Sequence, residues 1–132
     1  MYSNSILERF KNPEYAGGLR GANGVGKAGS DECGDIVKIY ISVDDEGIIT
    51  NAKFKAYGGV STIVACDIAC YLIINMTLEE ALSLTADDIM AKLENDIPAN
   101  KSYSAVLAEE AVTNAVEDYY KKKEKEDRLK NA

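Results

Sequence analysis

Three cysteines are the residues of this chain best suited to chemistry: Cys33, Cys66 and Cys70. Cys33 lies in "SDECGDIVKIY", a polar stretch just before an apolar alternation. Gly34 lets the backbone turn there, and Asp35 places a carboxylate two residues on. Cys-Gly-Asp therefore offers one soft and one hard metal donor, two short of a closed tetrahedral site. An exposed cysteine in a turn is the plain alternative. Cys66 and Cys70 lie four apart in "STIVACDIACYLI", so on a helix they share a face. Their Cβ atoms would stand about 6 Å apart, too far for a disulfide. As thiolates they could chelate one metal. As thiols they extend the stripe Ile63, Cys66, Cys70, Ile73, and cysteine packs as a small hydrophobe. The stripe favours core packing. Asp67, between them, is expected to be a half-exposed carboxylate near the start of its helix.

The chain contains no histidine. Ser-His and Cys-His nucleophile chemistry within one chain is thereby excluded, as is every imidazole metal ligand. No cofactor loop or nucleophile pairing supports a named reaction, so an enzyme is not expected. The net charge of −7 argues against a nucleic-acid or anionic-membrane partner. The start, "MYSNSILERF", does not resemble a secretory signal, and the longest apolar run, Ile63 to Ile74, contains Asp67. Reduced thiols in a cytoplasmic protein are the corresponding expectation.

The elements that must position these residues are legible in outline. Ser3 to Phe10 reads as a short amphipathic helix stopped at Asn12-Pro13. "YAGGLRGANGVGKAGS" reads as a glycine-rich loop with a short edge strand around Gly24 to Ala28. It lacks the flanking strand and helix of a phosphate-binding loop. Ile36 to Val43 and Ile48 to Ala56 read as two strands of a hairpin turning at Asp44-Asp45-Glu46-Gly47. A helix follows to about Ile74, capped by Ser61 or Thr62. Thr77 with Glu80 predicts a second start, and Thr85 to Leu93 a third. From Lys101 or Ser102 a long helix carries Val106, Leu107, Ala111, Val112, Ala115, Val116 and Tyr119 on one face. Residues 121–132 form a charged tail, read as a solvated and frayed helix end. The 132 residues suggest one domain, 1–132.

Along nearly its whole length the chain resembles the IscU/NifU-type iron–sulfur cluster assembly scaffolds. The segments "YSNSILERFKNPEYAG", "ECGDIVKIYISVDDEGIITNAKFKAYGG" and "KSYSAVLAEEAVTNAVEDYYKKK" carry the resemblance. It implies an α+β fold: a three-stranded antiparallel sheet with helices packed on one face, and a long C-terminal helix. It implies a site of three cysteines and an acid, which receives sulfur from a cysteine desulfurase and passes a cluster to apo-protein acceptors. Cys33 and Asp35 match the first cysteine and the site aspartate, and Lys101 matches a site lysine. Gly59 stands in place of the second cysteine, Ser104 in place of the third, and Tyr103 where many members have histidine. "IPANK", Ile97 to Lys101, departs from the Leu-Pro-Pro-Val-Lys motif, which counts against a chaperone interaction. Iron–sulfur clusters are held chiefly by thiolates. The expected ligand set for iron or a cluster is therefore reduced to Cys33 and Asp35, with Tyr103 and Ser104 as weak oxygen donors. Cys66 remains a minor candidate, and a homodimer could pool two such sets. The alternative is an interaction module of the same fold that docks to a desulfurase or another assembly protein and holds no cluster.

Overall fold

The computed structural model describes residues 2–30, 32, 34–93 and 102–131. Its elements are α1 (Asn4–Lys11), β1 (Gly24–Ser30), β2 (Asp35–Val43), β3 (Ile49–Tyr57), α2 (Val60–Ile73), α3 (Leu78–Leu82), α4 (Ala86–Lys92) and α5 (Tyr103–Lys130). The strands form one antiparallel sheet in the order β1-β2-β3. Period-two alternation sends Val37, Ile39 and Ile41 of β2 inward, with Ala52 and Phe54 of β3 beside them. Helices α2 and α5 cover that face and bring Val64, Ile68, Val112 and Val116 into the same core. The β2–β3 turn closes on Asp44, whose Oδ1 accepts from the amides of Glu46 and Ile48, while Gly47 takes φ 79°. A bulge opposite Ser42 and Val43 shifts the phase of β3, so Ile49 and Ala52 both point inward.

The glycine-rich segment is more ordered than a loop. β1 extends to Ser30, and its glycines serve the packing of α5. A Cβ on Gly26 would lie 2.1 Å from Ala111 O and 2.2 Å from Ala115 N, and one on Gly24 would lie 2.6 Å from Ala115 O. The buried face of α5 opposite is small, with Ala105, Ala108, Ala111 and Ala115. Small residues on both sides let helix backbone approach strand backbone. The outer edge of β1 is also closed by α5: Val25 N–H donates to Asp118 Oδ2 at 2.8 Å, and Asn114 Nδ2 donates to Lys27 O at 2.8 Å.

α2 is buried on nearly every side, so the stripe Ile63, Cys66, Cys70, Ile73 is only part of its apolar surface. It starts at Val60 on an N-cap at Gly59, earlier than a Ser61 or Thr62 cap would allow. Those two hydroxyls are thereby left inside the first turn. Asp67 is fully buried, contrary to the expectation of half exposure. Its Oδ2 meets Arg9 Nη1 at 2.6 Å, and its Oδ1 accepts from Tyr15 N–H at 2.8 Å. α1 and the segment after it fold over that face of α2, a long-range event with no local signature. α1 itself begins on Ser3, whose hydroxyl accepts from Ile6 N–H. α3 and α4 start with the capping boxes Thr77/Glu80 and Thr85/Asp88. The charged end of α5 stays helical to Lys130, exposed, with i,i+4 pairs such as Lys130–Glu126 along it. Among the described residues no helix is long and apolar enough to cross a membrane.

Candidate functional site

At one end of the sheet, the head of β2 meets the first turns of α2 and α5. Asp35 opens β2 and is 5% exposed. It sits against Gly58, where a Cβ would come within 2.1 Å of Asp35 Oδ1. Glycine at 58 is therefore required for the carboxylate to turn inward. Thr62 Oγ1 donates to that Oδ1 at 3.0 Å. Ser104, the second residue of α5, places its Oγ 3.1 Å from Thr62 Oγ1 and 2.9 Å from Ser61 Oγ. Ser61, Thr62 and Ser104 are all buried.

Proton counting orients this chain of hydroxyls. Each hydroxyl has one proton to give. Thr62 gives its proton to Asp35, so Ser104 must donate to Thr62, and Ser61 must then donate to Ser104. The relay runs Ser61, Ser104, Thr62, Asp35 and ends on a carboxyl oxygen, Asp35 Oδ1. Tyr103, half-exposed at the mouth, hydrogen-bonds the same carboxylate. That bond to Asp35, with burial adding to it, raises the phenol above its usual range. The phenol therefore keeps its proton at neutral pH and acts as a donor to Asp35.

Residues from three distant places in the chain, Asp35, the pair Ser61 and Thr62, and the pair Tyr103 and Ser104, are thus joined in one hydrogen-bond network. Cys33 and Lys101 lie outside the described residues, adjacent in sequence to Gly34 and Ser102. Gly59 faces open space: a Cβ there meets nothing within 4 Å. Cys66 lies one turn further along α2 from Thr62, fully buried. Burial, reinforced by the charges of Asp67 and Asp35, pushes its thiol up to about 12. Burial raises Cys70 as well. Both sulfurs are free, protonated and packed in the core. Among the described residues no three His, Cys, Asp or Glu side chains converge on one point. Ser61 and Thr62 are the site members that sequence reasoning missed; it treated them only as caps. Two hydroxyl residues straight after Gly58-Gly59 were the available signal, and only the arrival of Ser104 gave them meaning.

The donor set is therefore oxygen-rich. Asp35 suits a hard cation, whereas iron–sulfur clusters want thiolates. Ser104 offers an oxygen already committed as both donor and acceptor, and Tyr103 offers a protonated phenol.

Comparison with known proteins bears on the family and the fold. Residues 1–126 match the NifU-like N terminal domain family. The chain is 35% identical over 130 residues to iron–sulfur cluster assembly scaffold protein IscU 1 of Archaeoglobus fulgidus, covering 98% of this chain and 84% of that one. It is 35% identical over 126 residues to IscU of Escherichia coli, covering 93% and 97%. For IscU of Azotobacter vinelandii the identity is 37% over 125 residues, covering 92% and 96%. Among solved structures, the N-terminal NifU-like protein of Brucella abortus superposes with a TM-score of 0.72 at 20% identity, covering 90% of this chain and 94% of that one. A SUF-system protein of Fervidobacterium islandicum gives 0.71 at 19% identity, covering 87% and 96%. The last two speak to the fold alone, and they share its three-stranded antiparallel sheet and helices.

Proposed function

Because the chain belongs to the NifU-like N-terminal domain family, we propose that it serves iron–sulfur cluster assembly as a divergent scaffold or carrier with a reduced ligand set. Iron or a cluster is its cargo, held by Cys33 and Asp35 rather than by three cysteines. The convergence of Asp35, Tyr103 and Ser104 carries this reading, because each stands at a position that the resemblance assigns to the site. The curated relatives are named as assembly scaffolds, which supports the same reading. Asp35 supplies the anionic donor. Thr62 and Tyr103 hold its carboxylate in place and offset the cost of burying it. Cys33 supplies the sulfur. Two chains that each contribute Cys33 and Asp35 give the four donors that a small cluster takes. A cysteine desulfurase as sulfur source and apo-proteins as acceptors complete the scheme. The reading is of a carrier rather than an enzyme.

Anaerobic reconstitution with iron and sulfide, read by visible absorbance and oligomer size, tests it. Cys33→Ser is expected to abolish cluster absorbance and any accompanying dimer. Equal cluster content in the parent and Cys33→Ser would reject the assignment. One observation favours the second reading, a docking module without cluster: the hydroxyl relay is complete by itself and needs no metal. On that reading the chain retains a cysteine desulfurase in pull-down with or without iron, and the parent gives no cluster spectrum.

A further inference from the structure

The face of the sheet turned away from the helices carries a row of lysines. Register pairs Lys27 of β1 with Lys38 of β2, and Lys38 with Lys55 of β3. All three are exposed, and neighbouring strands lie about 4.8 Å apart, so three like charges stand side by side within about 10 Å. Lys53 of β3 adds a fourth beside Tyr40. Among the described residues, none of these lysines has a carboxylate partner. Lys38 Nζ and Lys55 Nζ instead lie 5.8 and 6.0 Å from the centre of the Tyr40 ring. One ring thus lies near two ammonium groups.

Cross-strand like charges destabilise a sheet, so the row works against folding. Edge protection does not account for it. Lys38 is on the central strand, the β1 edge is already closed by Asp118 and Asn114, and Ala16 pairs with Phe54 on the β3 side. Solubility does not account for it either, because the chain already carries a net charge of −7. The loop after α1 reaches this face at Gly18, beside Lys55, and at Gly21, whose carbonyl accepts from Ser42, while Pro13, Ala16 and Gly17 flank Lys55 and Tyr57 at the β3 edge. One register step from the row toward the candidate site, half-buried Ile36 pairs with Tyr57, which is 80% exposed.

We propose that this face is a docking surface for a short acidic segment of a partner protein, with two or three carboxylates on Lys27, Lys38 and Lys55 and one apolar side chain on Ile36 and Tyr57. Charge complementarity selects the carboxylates, and the adjoining Ile36–Tyr57 pair selects the apolar residue. The patch spans only three strands on an otherwise anionic molecule. A nucleic acid longer than the patch would run onto like charge, whereas a short peptide would not. The surface stands whatever the candidate site holds.

The test uses the full chain and fluorescence anisotropy with three labelled probes: a peptide of four glutamates around one phenylalanine, the same peptide with lysines for glutamates, and a single-stranded oligonucleotide of matched length. The glutamate peptide is expected to bind saturably and more weakly as salt rises. The triple variant Lys27→Gln, Lys38→Gln, Lys55→Gln should weaken it about tenfold or more, with a thermal midpoint equal to or above the parent's because repulsion is relieved. Replacing Lys121 and Lys122 of α5 by Gln should leave binding unchanged. Replacing the three sheet lysines by Glu should transfer binding to the lysine peptide. Equal binding by the triple variant, no saturable binding by the parent, or tighter binding of the oligonucleotide would overturn the proposal.

Discussion

A serine at position 104 differs from cysteine by one atom, and that atom changes what the site can carry. A hydroxyl is far harder to deprotonate than a thiol, and Ser104 is further bound by Ser61 and Thr62 on its two sides. Gly59 differs from cysteine by a whole side chain, yet its surroundings leave room for one. Its φ of −78° is one that any residue adopts. The loss of donors is thus chemical rather than steric. Gly59→Cys combined with Ser104→Cys is expected to raise Co(II) affinity by about tenfold or more over the parent, with a thiolate-to-cobalt charge-transfer band on titration. Identical titration curves would show that these positions do not converge with Cys33. Motif comparison pointed to Asp35, Tyr103 and Ser104, and they do meet. Sequence could not reveal that Ser104 would be held by two other hydroxyls, because those bonds span more than forty positions.

At the scale of elements, two contacts hold the site's supports in place. The close approach of α5 to β1 depends on Gly26, where an added Cβ would strike backbone atoms of Ala111 and Ala115. Backbone cannot yield as a flexible side chain can. Gly26→Ala is expected to cost about 3 kcal/mol or more, seen as a lower urea midpoint. It would also displace the start of α5 and with it Tyr103 and Ser104. The second contact is Arg9 to Asp67, which ties α1 to α2. Arg9→Met leaves Asp67 buried with only the Tyr15 amide. The expected loss is about 2–3 kcal/mol by urea unfolding, below the full value for a buried pair because Arg9 is one-third exposed. Strands β2 and β3, the Thr77/Glu80 capping box, the helix start at Thr85 and the course of α5 were readable from local pattern. The extension of β1 beyond Ala28 to Ser30 and the burial of Asp67 were not. Glycine weakens the local strand signal, and a charge gives no sign of the cation that will cover it.

For the whole molecule, the helical layer buries two thiols and the sheet exposes a row of lysines, so the two faces answer differently to pH and salt. Cys66 ionises at about 12 in the folded chain against 9.0 when unperturbed, and Cys70 is raised in the same direction. The folded state keeps these protons where the unfolded chain releases them. Their contribution to stability is therefore complete below pH 9 and falls as pH rises from there toward 12. Urea midpoints measured across that range should drop, and Cys66→Ala should flatten the drop while lowering stability at pH 7 through the cavity it leaves. An unchanged slope would place the thiol in contact with water. The residues by themselves determined the order of most elements, the absence of imidazole and the shortage of thiols, because these follow from local periodicity and from which atoms the chain possesses, whereas the fold class was what the family resemblance implied. Only the tertiary structure decided that Cys66 and Cys70 are core, that Asp67 is covered, that four hydroxyls join one network ending on Asp35, and that three lysines line up across the sheet. Each of those facts depends on which distant backbone arrives beside a side chain, and no local pattern encodes that arrival.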